Sequence, residues 1–398
     1  RITLTPAQKY KDLSIQTREA IYSTSSSSVT NDPCFFIEIY AVINASIEYN
    51  KGNLTCYVNS AHNLKFQEVL RKSVIYSEIC YPLPSWLNNM PTYDLWYLQI
   101  INDYYFHIGV DEFIKDRIPY YTGVINQLDK CIKEDGSIDY NIEGVNTSLP
   151  YFIDWVSSED EKNVLEVTNK YLFLYILKFT KELYKELNLD ESVILGMIER
   201  LERLENKELS RKQHIAFKVM SGNGNDTDFN KLIQGGAQGL STFMSYFILS
   251  SIHKYDSAKA LDILKEYYGA MLDLGATTFF EDFDIEWKNN ACKLDEMPKN
   301  NEIDFHGTYG KYCYIGYRHS LAHGWSSGAI QYLTEFVLGI KILTPGFKKI
   351  EIKPNLGYLK FAKGSIPTPF GKLSIECINE NNKLTINVDA PKEIEVIK

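Results

Sequence analysis

Apolar residues recur at helical spacing through most of the first 340 positions, in segments separated by loops. These segments begin near positions 34, 64, 92, 112, 161, 190, 211, 235, 257 and 329. The intervening loops alternate between short ones and long, aromatic ones. Repeated helix hairpins of this kind predict an (α/α)6 six-hairpin toroid, a mainly α fold in which the long loops meet at one mouth.

Local signals indicate where several of these helices begin and end. Thr92 is a natural cap after Pro91, and Gly109 is a natural stop. Asp111 should cap the next helix, which Pro119 should kink or restart. The stretch SGNGNDTDFN is predicted to be an irregular loop, and GGAQGLSTFMSYFILSSIHKY is predicted to be a helix joined to the following one at Asp256.

The period of the pattern changes from helical to two after Gly339. The segments FKKIEIKP, LKFAKGSIPTPFGKLSIECI and KLTINVDA alternate apolar and polar residues and are separated by Gly, Pro and Asn, which predicts antiparallel strands. We therefore predict a helical domain over residues 1–340, of which the first 34 are hard to assign, and a small β-sandwich over residues 341–398.

Composition is that of an ordinary globular protein, with 44% hydrophobic and 23% charged residues. A net charge of −9 without a basic run argues against a nucleic-acid partner. There is no apolar run long enough to span a membrane. Seven scattered cysteines without a CxxC pair favour reduced thiols in a cytoplasmic protein. We expect no cofactor, and a homodimer is the candidate oligomeric state.

Candidate chemistry concentrates between Gly275 and Gly328. The segment GATTFFEDFDIEW sets Glu281 among acidic and aromatic residues, and SLAHGWSSG adds His323 and Trp325. A desolvated carboxyl group can act as a general acid or base, and ring faces pack against the apolar side of a sugar. Carboxylates and histidines could also bind a metal, but no HExxH or DxDxDG spacing is present, so we expect none.

Asp154 and Trp155 form a second acid–aromatic pair, at the end of a long loop. The pair fits a sugar contact, and it equally fits a buried tryptophan beside a capping aspartate. His323 could likewise be a core histidine, although the small residues around it would allow a ligand to approach closely.

These segments resemble a known family. GATTFFEDFD is similar to the GATT-hydrophobic-aromatic-Glu signature of the bacterial α-L-rhamnosidases, glycoside hydrolase family 78 and its close relatives, and SLAHGWSSG looks like that family's Ser-x-x-His-x-x-x-x-Gly segment. The entry into the last domain, LGIKILTPGFKKIEIKPNLGYL, and the segment YFIDWVSSED also resemble the family. The resemblance covers about residues 85–398.

The resemblance implies inverting hydrolysis of terminal α-L-rhamnosides. Glu281 would be the general base, while Asp154, Trp155 and His323 would bind the sugar. Trp325, adjacent to His323, is a further candidate for sugar binding.

The general acid of the family lies in an acidic motif followed by an aromatic residue and Gly-Asp. The nearest match here is Thr17–Tyr22, which contains Glu19 but is followed by Ser23–Ser25. Glu19 is therefore the candidate acid. Two alternatives remain open: a carbohydrate-binding pseudoenzyme of the same fold, and a related toroid enzyme acting on another glycoside or an uronate.

Overall fold

The computed structural model describes residues 77–299, 301–304, 328–380 and 383–398, together with positions 71, 74, 75, 321 and 326. The helix predicted from Cys34 and most of the helix predicted from Leu64 lie outside these residues, as do Glu19, His323 and Trp325.

The described chain is mainly helical up to residue 337. Its α-helices are α1 (Pro91–Ile108), α2 (Glu112–Asp129), α3 (Lys162–Glu186), α4 (Ser192–Arg203), α5 (Lys212–Met220), α6 (Asp226–Ile233), α7 (Ser245–His253), α8 (Ser257–Asp273) and α9 (Gly328–Tyr332). The last of these continues as a π-helical turn, Leu333–Val337. The prediction of a mainly α chain with a small β domain is confirmed.

Helix ends follow the sequence signals at most positions. Asp111 caps α2 by accepting a hydrogen bond from the Ile114 N–H at 3.1 Å, and Gly109 ends α1 with a φ of 92°. The predicted Thr92 cap is wrong, because Pro91 occupies the first helical position, where a missing N–H costs nothing. Pro119 does not interrupt α2, since it lies on an exposed face where water can replace the lost donor.

Two loop and helix predictions between residues 221 and 255 need correction. The stretch SGNGNDTDFN is not wholly irregular, because Asn225 and Asp228 form a capping box that starts α6. Conversely, α7 begins only at Ser245, and residues 235–244 are turns with left-handed glycines at positions 235, 236 and 239.

The helices pack in two layers. The odd-numbered helices from α1 to α9 contact one another in succession, and each of α2, α4, α6 and α8 contacts the helix that precedes it. Burial follows the same division. Nearly all of α1 is buried, whereas α4 buries only the stripe Ile194, Met197 and Leu201. Helical hairpins with an inner and an outer member account for this pattern. None of the described helices has both the length and the apolar character needed to cross a membrane.

Two three-stranded sheets make up the end of the chain. The first contains β1 (Ile340–Thr344), β2 (Lys349–Ile352) and β6 (Glu395–Ile397), and the second contains β3 (Phe361–Thr368), β4 (Gly371–Glu380) and β5 (Lys383–Asp389). All pairs are antiparallel except β2–β6, which is parallel and was not predicted. The short helical turn Pro345–Phe347 packs against α1, so the sheets and the helices share one core.

Candidate active site

Asp154 is a buried carboxylate on the loop that leads from α2 to α3. Only 3% of the residue is exposed, and it directly precedes the short helical turn Trp155–Ser157. The Ser241 hydroxyl donates a hydrogen bond to its Oδ2 atom. Burial raises the pKa of Asp154 to about 6, although the Ser241 hydroxyl and the amides of Trp155 and Val156 act in the opposite direction. This carboxyl group therefore titrates near neutral pH.

Trp155 lies beside this carboxylate and is partly exposed. Its ring meets the ring of Phe152 edge-on, with the centroids 5.1 Å apart. The amides of Trp155 and Val156 act on the Asp154 carboxylate, although no side-chain bond of the usual capping type is present. The choice between a sugar contact and a buried tryptophan beside a capping aspartate stays a prediction.

Two adjacent hydroxyl groups join Asp154 to the Glu281 segment. Ser241 bonds to Asp154, which is 87 residues away in the sequence, and the Thr242 hydroxyl donates to the carbonyl oxygen of Glu281, which is 39 residues away. The left-handed turn at Gly239 precedes them. Adjacent residues thus hold the Asp154 carboxylate and the Glu281 backbone, which lie on separate segments of the sequence.

The Glu281 segment is held mainly through its backbone. Phe280 and Phe283 are buried completely, and their carbonyl oxygens accept hydrogen bonds from the hydroxyls of Ser326 and Tyr267. The acids Glu281, Asp282 and Asp284 between and beside them are only partly buried. Phe280 and Phe283 are therefore core residues that fix the segment, and they do not offer ring faces to a sugar.

Thr278, close to Glu281 in the sequence, has a structural role as well. The Thr278 hydroxyl donates to the carbonyl oxygen of Leu321. Ser326 is tied to the segment by its hydroxyl, which donates to the Phe280 carbonyl oxygen, and its own carbonyl oxygen accepts a hydrogen bond from Tyr268 of α8 at 2.9 Å. Both described residues that flank His323 and Trp325 therefore contact the structure around Glu281.

Asp282 has a strongly raised pKa. Burial raises its pKa to about 7, and the negative charges of Asp154, Asp284 and Glu281 add to that effect, while the Phe283 N–H opposes it. The sequence indicated that clustered acids would raise the pKa of a neighbour. It did not identify Asp282 as that neighbour or Asp154 as its main charged partner, because the two residues are 128 positions apart in the printed sequence.

The end of the chain and its overall fold are both similar to known proteins. Residues 339–397 match the model of the bacterial alpha-L-rhamnosidase C-terminal domain. Over 93% of its length the chain superposes on the crystal structure of a GH78 family rhamnosidase of Bacillus sp. GL1, with a TM-score of 0.61 and 17% identity.

The chain has the fold of a family 78 rhamnosidase. It also superposes on the native alpha-L-rhamnosidase of Aspergillus terreus over 92% of its length, with a TM-score of 0.62 and 12% identity. A 77-residue segment, 19% of the chain, is 39% identical to an alpha-L-rhamnosidase of Alteromonas sp. (strain LOR). The predicted resemblance to the α-L-rhamnosidases is confirmed.

The relatives are longer than this chain. The chain covers 42% of the Bacillus rhamnosidase and 46% of the Aspergillus rhamnosidase, and the matching segment covers 8% of the Alteromonas rhamnosidase.

Sequence reasoning missed two functional candidates, Ser241 and Gln213. Gln213 lies at the start of α5 and is 2% exposed, and its side-chain amide contacts Ser241 at 3.2 Å. A hydroxyl and an amide carry no chemical signal of their own in a sequence. What distinguishes them from other polar residues is the contact of Ser241 with Asp154 and of Gln213 with Ser241 in the folded chain.

Proposed function

We propose that the chain is a glycoside hydrolase that removes terminal α-L-rhamnose, or a similar deoxysugar, with inversion at the anomeric carbon. The observation that carries this proposal is the pair of bonds by which Ser241 holds the Asp154 carboxylate and Thr242 holds the Glu281 backbone, which supports their assignment to one site. The rhamnosidase fold of the chain supports the choice of sugar. A cytoplasmic location and a homodimer, both expected from the sequence, form part of the same proposal.

Two carboxyl groups perform the reaction in this mechanism. Glu281 takes a proton from a water molecule, whose oxygen attacks the anomeric carbon as the glycosidic bond breaks. A carboxylic acid on the opposite face gives its proton to the departing oxygen. The two groups stand roughly 6.5–9.5 Å apart, which leaves room for the water. Glu19, which lies in the nearest match to the family's acid motif, is the proposed general acid.

The other candidate residues bind the sugar. The Asp154 carboxylate accepts hydrogen bonds from sugar hydroxyls, and the partly exposed Trp155 ring packs against an apolar sugar face. His323 and Trp325 complete the sugar contacts in this proposal. The anchoring of Leu321 and Ser326 beside the Glu281 segment supports their assignment to the same site.

Replacement of Glu281 tests the proposal directly. We expect Glu281→Gln to lower kcat on p-nitrophenyl α-L-rhamnoside by roughly 10²–10⁴-fold, because the general base is lost while the shape is kept. Rhamnose binding, measured by titration calorimetry, should stay close to that of the parent. Glu286→Gln is the matched control, since Glu286 is an exposed acid five residues further along and should change kcat little. Full activity of Glu281→Gln would refute its assignment as the base.

The same assay tests Glu19. A nitrophenolate leaving group needs little protonation, so Glu19→Gln should affect the aryl glycoside mildly and a natural rhamnoside strongly. If Glu19→Gln affected both substrates equally, the assignment of Glu19 as the general acid would be wrong.

A non-catalytic carbohydrate-binding protein is the second candidate function. The observation that favours it is the sequence Ser23–Ser25 at the position where the family's acid motif has Gly-Asp. Rhamnose binding by the parent without turnover of any rhamnoside would select this candidate. Turnover of another glycoside or an uronate, but not of a rhamnoside, would instead indicate the related toroid enzyme.

A further inference from the structure

A cavity of about 320 Å³ lies beside the turn that carries Asp154 and Trp155. It is lined by side chains from the loop between α2 and α3 and from the first turn of α3. The described residues that line it do not include Asp154, Trp155 or Glu281, so the cavity is separate from the sugar contacts assigned above. Ligand pockets in proteins begin at roughly 300 Å³, which means that this cavity accommodates one ring-sized group.

Two tyrosine rings form a fixed wall of the cavity. The Tyr140 hydroxyl donates a hydrogen bond to the side-chain oxygen of Asn169 at 2.8 Å, and the Tyr151 hydroxyl donates one to the Ile138 carbonyl oxygen at 2.6 Å. The two rings meet with their centroids 5.3 Å apart, and Phe152 adds a third aromatic side chain. Because both hydroxyl hydrogens are used within the protein, the tyrosines contribute ring surface, which packs against the apolar side of a sugar.

Asp160 is a carboxylate of this cavity that is held through one of its oxygens. The Arg211 Nε atom donates a hydrogen bond to Oδ2, and the Nε2 atom of the buried His214 lies 3.6 Å from the same oxygen. Among the residues that the structure describes, no hydrogen bond reaches Oδ1. Burial lowers the pKa of His214 to about 4, so its ring is neutral near physiological pH and Arg211 supplies the charge that balances Asp160. Asp160 therefore offers a fixed acceptor for a sugar hydroxyl and little net charge.

Lys162 gives the cavity an excess of positive charge. Its Nζ atom lies 5.4 Å from the centroid of the Tyr151 ring, and within the described part of the chain no carboxylate oxygen lies at ion-pair distance from it. Glu166, one turn further along α3, is bonded to a backbone N–H at 2.7 Å. Glu159 and Glu161 are exposed and do not line the cavity. The cavity therefore favours a ligand that carries one negative charge.

The cavity adjoins the sugar contacts proposed for Asp154 and Trp155. Phe152, which lines it, meets the Trp155 ring edge-on with the centroids 5.1 Å apart. Ser158, on the other side of the turn, also lines the cavity, and its hydroxyl donates a hydrogen bond to the Trp155 carbonyl oxygen at 2.8 Å. A sugar held at Asp154 and Trp155 therefore has this cavity as the neighbouring space for the group to which it is joined.

We propose that this cavity is the leaving-group subsite and that it binds a uronate, a sugar that carries a carboxylate. The carboxylate pairs with Lys162, a sugar hydroxyl donates a hydrogen bond to Asp160, and the apolar side of the ring packs against the aromatic wall. The substrate class is thus a terminal rhamnose joined to a uronic acid. This inference rests on the proposed function, because a leaving group exists only where a glycosidic bond is cleaved.

Two matched disaccharides test the subsite, α-L-rhamnosyl-(1→4)-D-glucuronate and α-L-rhamnosyl-(1→4)-D-glucose. We expect the parent to cleave the uronate with a kcat/KM about fivefold higher, the size of effect that a partly exposed charge pair produces. Lys162→Gln should bring this ratio close to one, and NaCl at about 0.5 M should lower it in the parent, since salt screens exposed charges. Lys259→Gln is the matched control, because Lys259 is also an exposed lysine in the first turn of a helix, and it should keep the parental ratio.

Asp160→Asn tests the charge balance with a change of opposite sign. Its loss of charge leaves the Arg211 cation unbalanced beside the cavity, so the preference for the uronate should rise about two- to threefold above that of the parent. The side chain keeps its size, and circular dichroism verifies that the variant is folded. A ratio that is unchanged in both Lys162→Gln and Asp160→Asn would overturn the charged subsite.

Binding of the free sugars separates this inference from the proposed reaction. Saturation-transfer NMR with D-glucuronate needs no turnover, and its signal should appear with the parent, weaken with Lys162→Gln and exceed that of D-glucose. Rhamnoside cleavage with a ratio of one and no glucuronate signal would overturn the subsite and leave the proposed function standing. A glucuronate signal without cleavage of any rhamnoside would instead overturn the proposed function and the leaving-group role, while the uronate site would stand.

Discussion

Asp154 and Asp282 keep protons at pH values where an exposed aspartate is ionised. Their pKa values are raised from 3.8 to about 6 and about 7, in both cases mainly because burial disfavours the charge. The unfolded chain therefore binds fewer protons than the folded chain between about pH 4 and pH 7. Folding stability contributed by these groups is complete below pH 4 and declines as the pH rises through that range.

Asp282→Asn should remove most of the loss of folding stability that Asp282 causes as the pH rises. We expect the variant to become more stable than the parent by a few kcal/mol as the pH is raised from 5 to 8, since each unit of pKa shift corresponds to about 1.4 kcal/mol. Urea unfolding at several pH values measures the difference. The depressed pKa values of His214 and His253, about 4 each, act in the opposite direction but are common to both proteins. A stability difference that does not change with pH would contradict the raised pKa.

Helix α6 illustrates how one polar pair starts an element. The Asn225 Oδ1 atom accepts a hydrogen bond from the Asp228 N–H at 3.1 Å, and the Asp228 carboxylate accepts one from the Asn225 N–H at 3.0 Å. Asp228 is also paired with Lys218 of α5 at 2.8 Å, so the cap fixes the angle between the two helices of the hairpin as well as the helix start.

Asn225→Ala should destabilise the protein by about 1 kcal/mol, the usual cost of losing an N-cap. Urea unfolding followed by circular dichroism measures the change. Asn223→Ala is the matched control, because Asn223 is exposed and its side chain only reaches the neighbouring Ser221. Equal effects of the two substitutions would mean that the capping box contributes nothing.

The sequence predicted most helices and several of their caps, because hydrophobic periodicity and capping depend on residues that are close together in the sequence. Asp111 caps α2 as expected, and Asp256, which was predicted only as the junction of two helices, caps α8. The error at α6 arose because Gly, Asn and Asp were interpreted as loop residues, although Asn225 and Asp228 already had capping-box spacing. The contact of Ser241 with Asp154 could not be predicted, since nothing local to either residue indicates a partner 87 positions away.

The helices and the sheets meet at two places where their backbones come close together. Gly339 has a φ of 69°, and a Cβ atom there would lie 2.0 Å from the Lys353 carbonyl oxygen. Gly346, in the turn Pro345–Phe347, packs against the end of α1, where a Cβ atom on it would lie 3.2 Å from the Ile108 carbonyl oxygen, and the adjacent Phe347 is buried against His107. The junction therefore depends on Gly339, which forms a left-handed turn, and on Gly346, which lets the backbone come close to α1.

Gly339→Ala should lower the Tm of the entire protein by several degrees, because the side chain would combine left-handed strain with a backbone clash. Differential scanning calorimetry measures this shift. Gly196→Ala in α4 is the control, since a Cβ atom there meets nothing within 4 Å and should stabilise the helix by about 0.5–1 kcal/mol. A Gly339→Ala protein as stable as the parent would refute the close approach.

The packing of Pro345–Phe347 against α1 has a consequence for the newly made chain. Some 239 residues separate Ile108 from Phe347 in the printed sequence. At a synthesis rate of roughly 5–20 residues per second, the face of α1 that they cover waits on the order of 10–50 seconds for its partner. During that interval this apolar surface of α1 is exposed to solvent or to a chaperone. The contact between Phe347 and α1 therefore forms late relative to α1 itself, and a ribosome that stalls before residue 345 leaves an aggregation-prone chain.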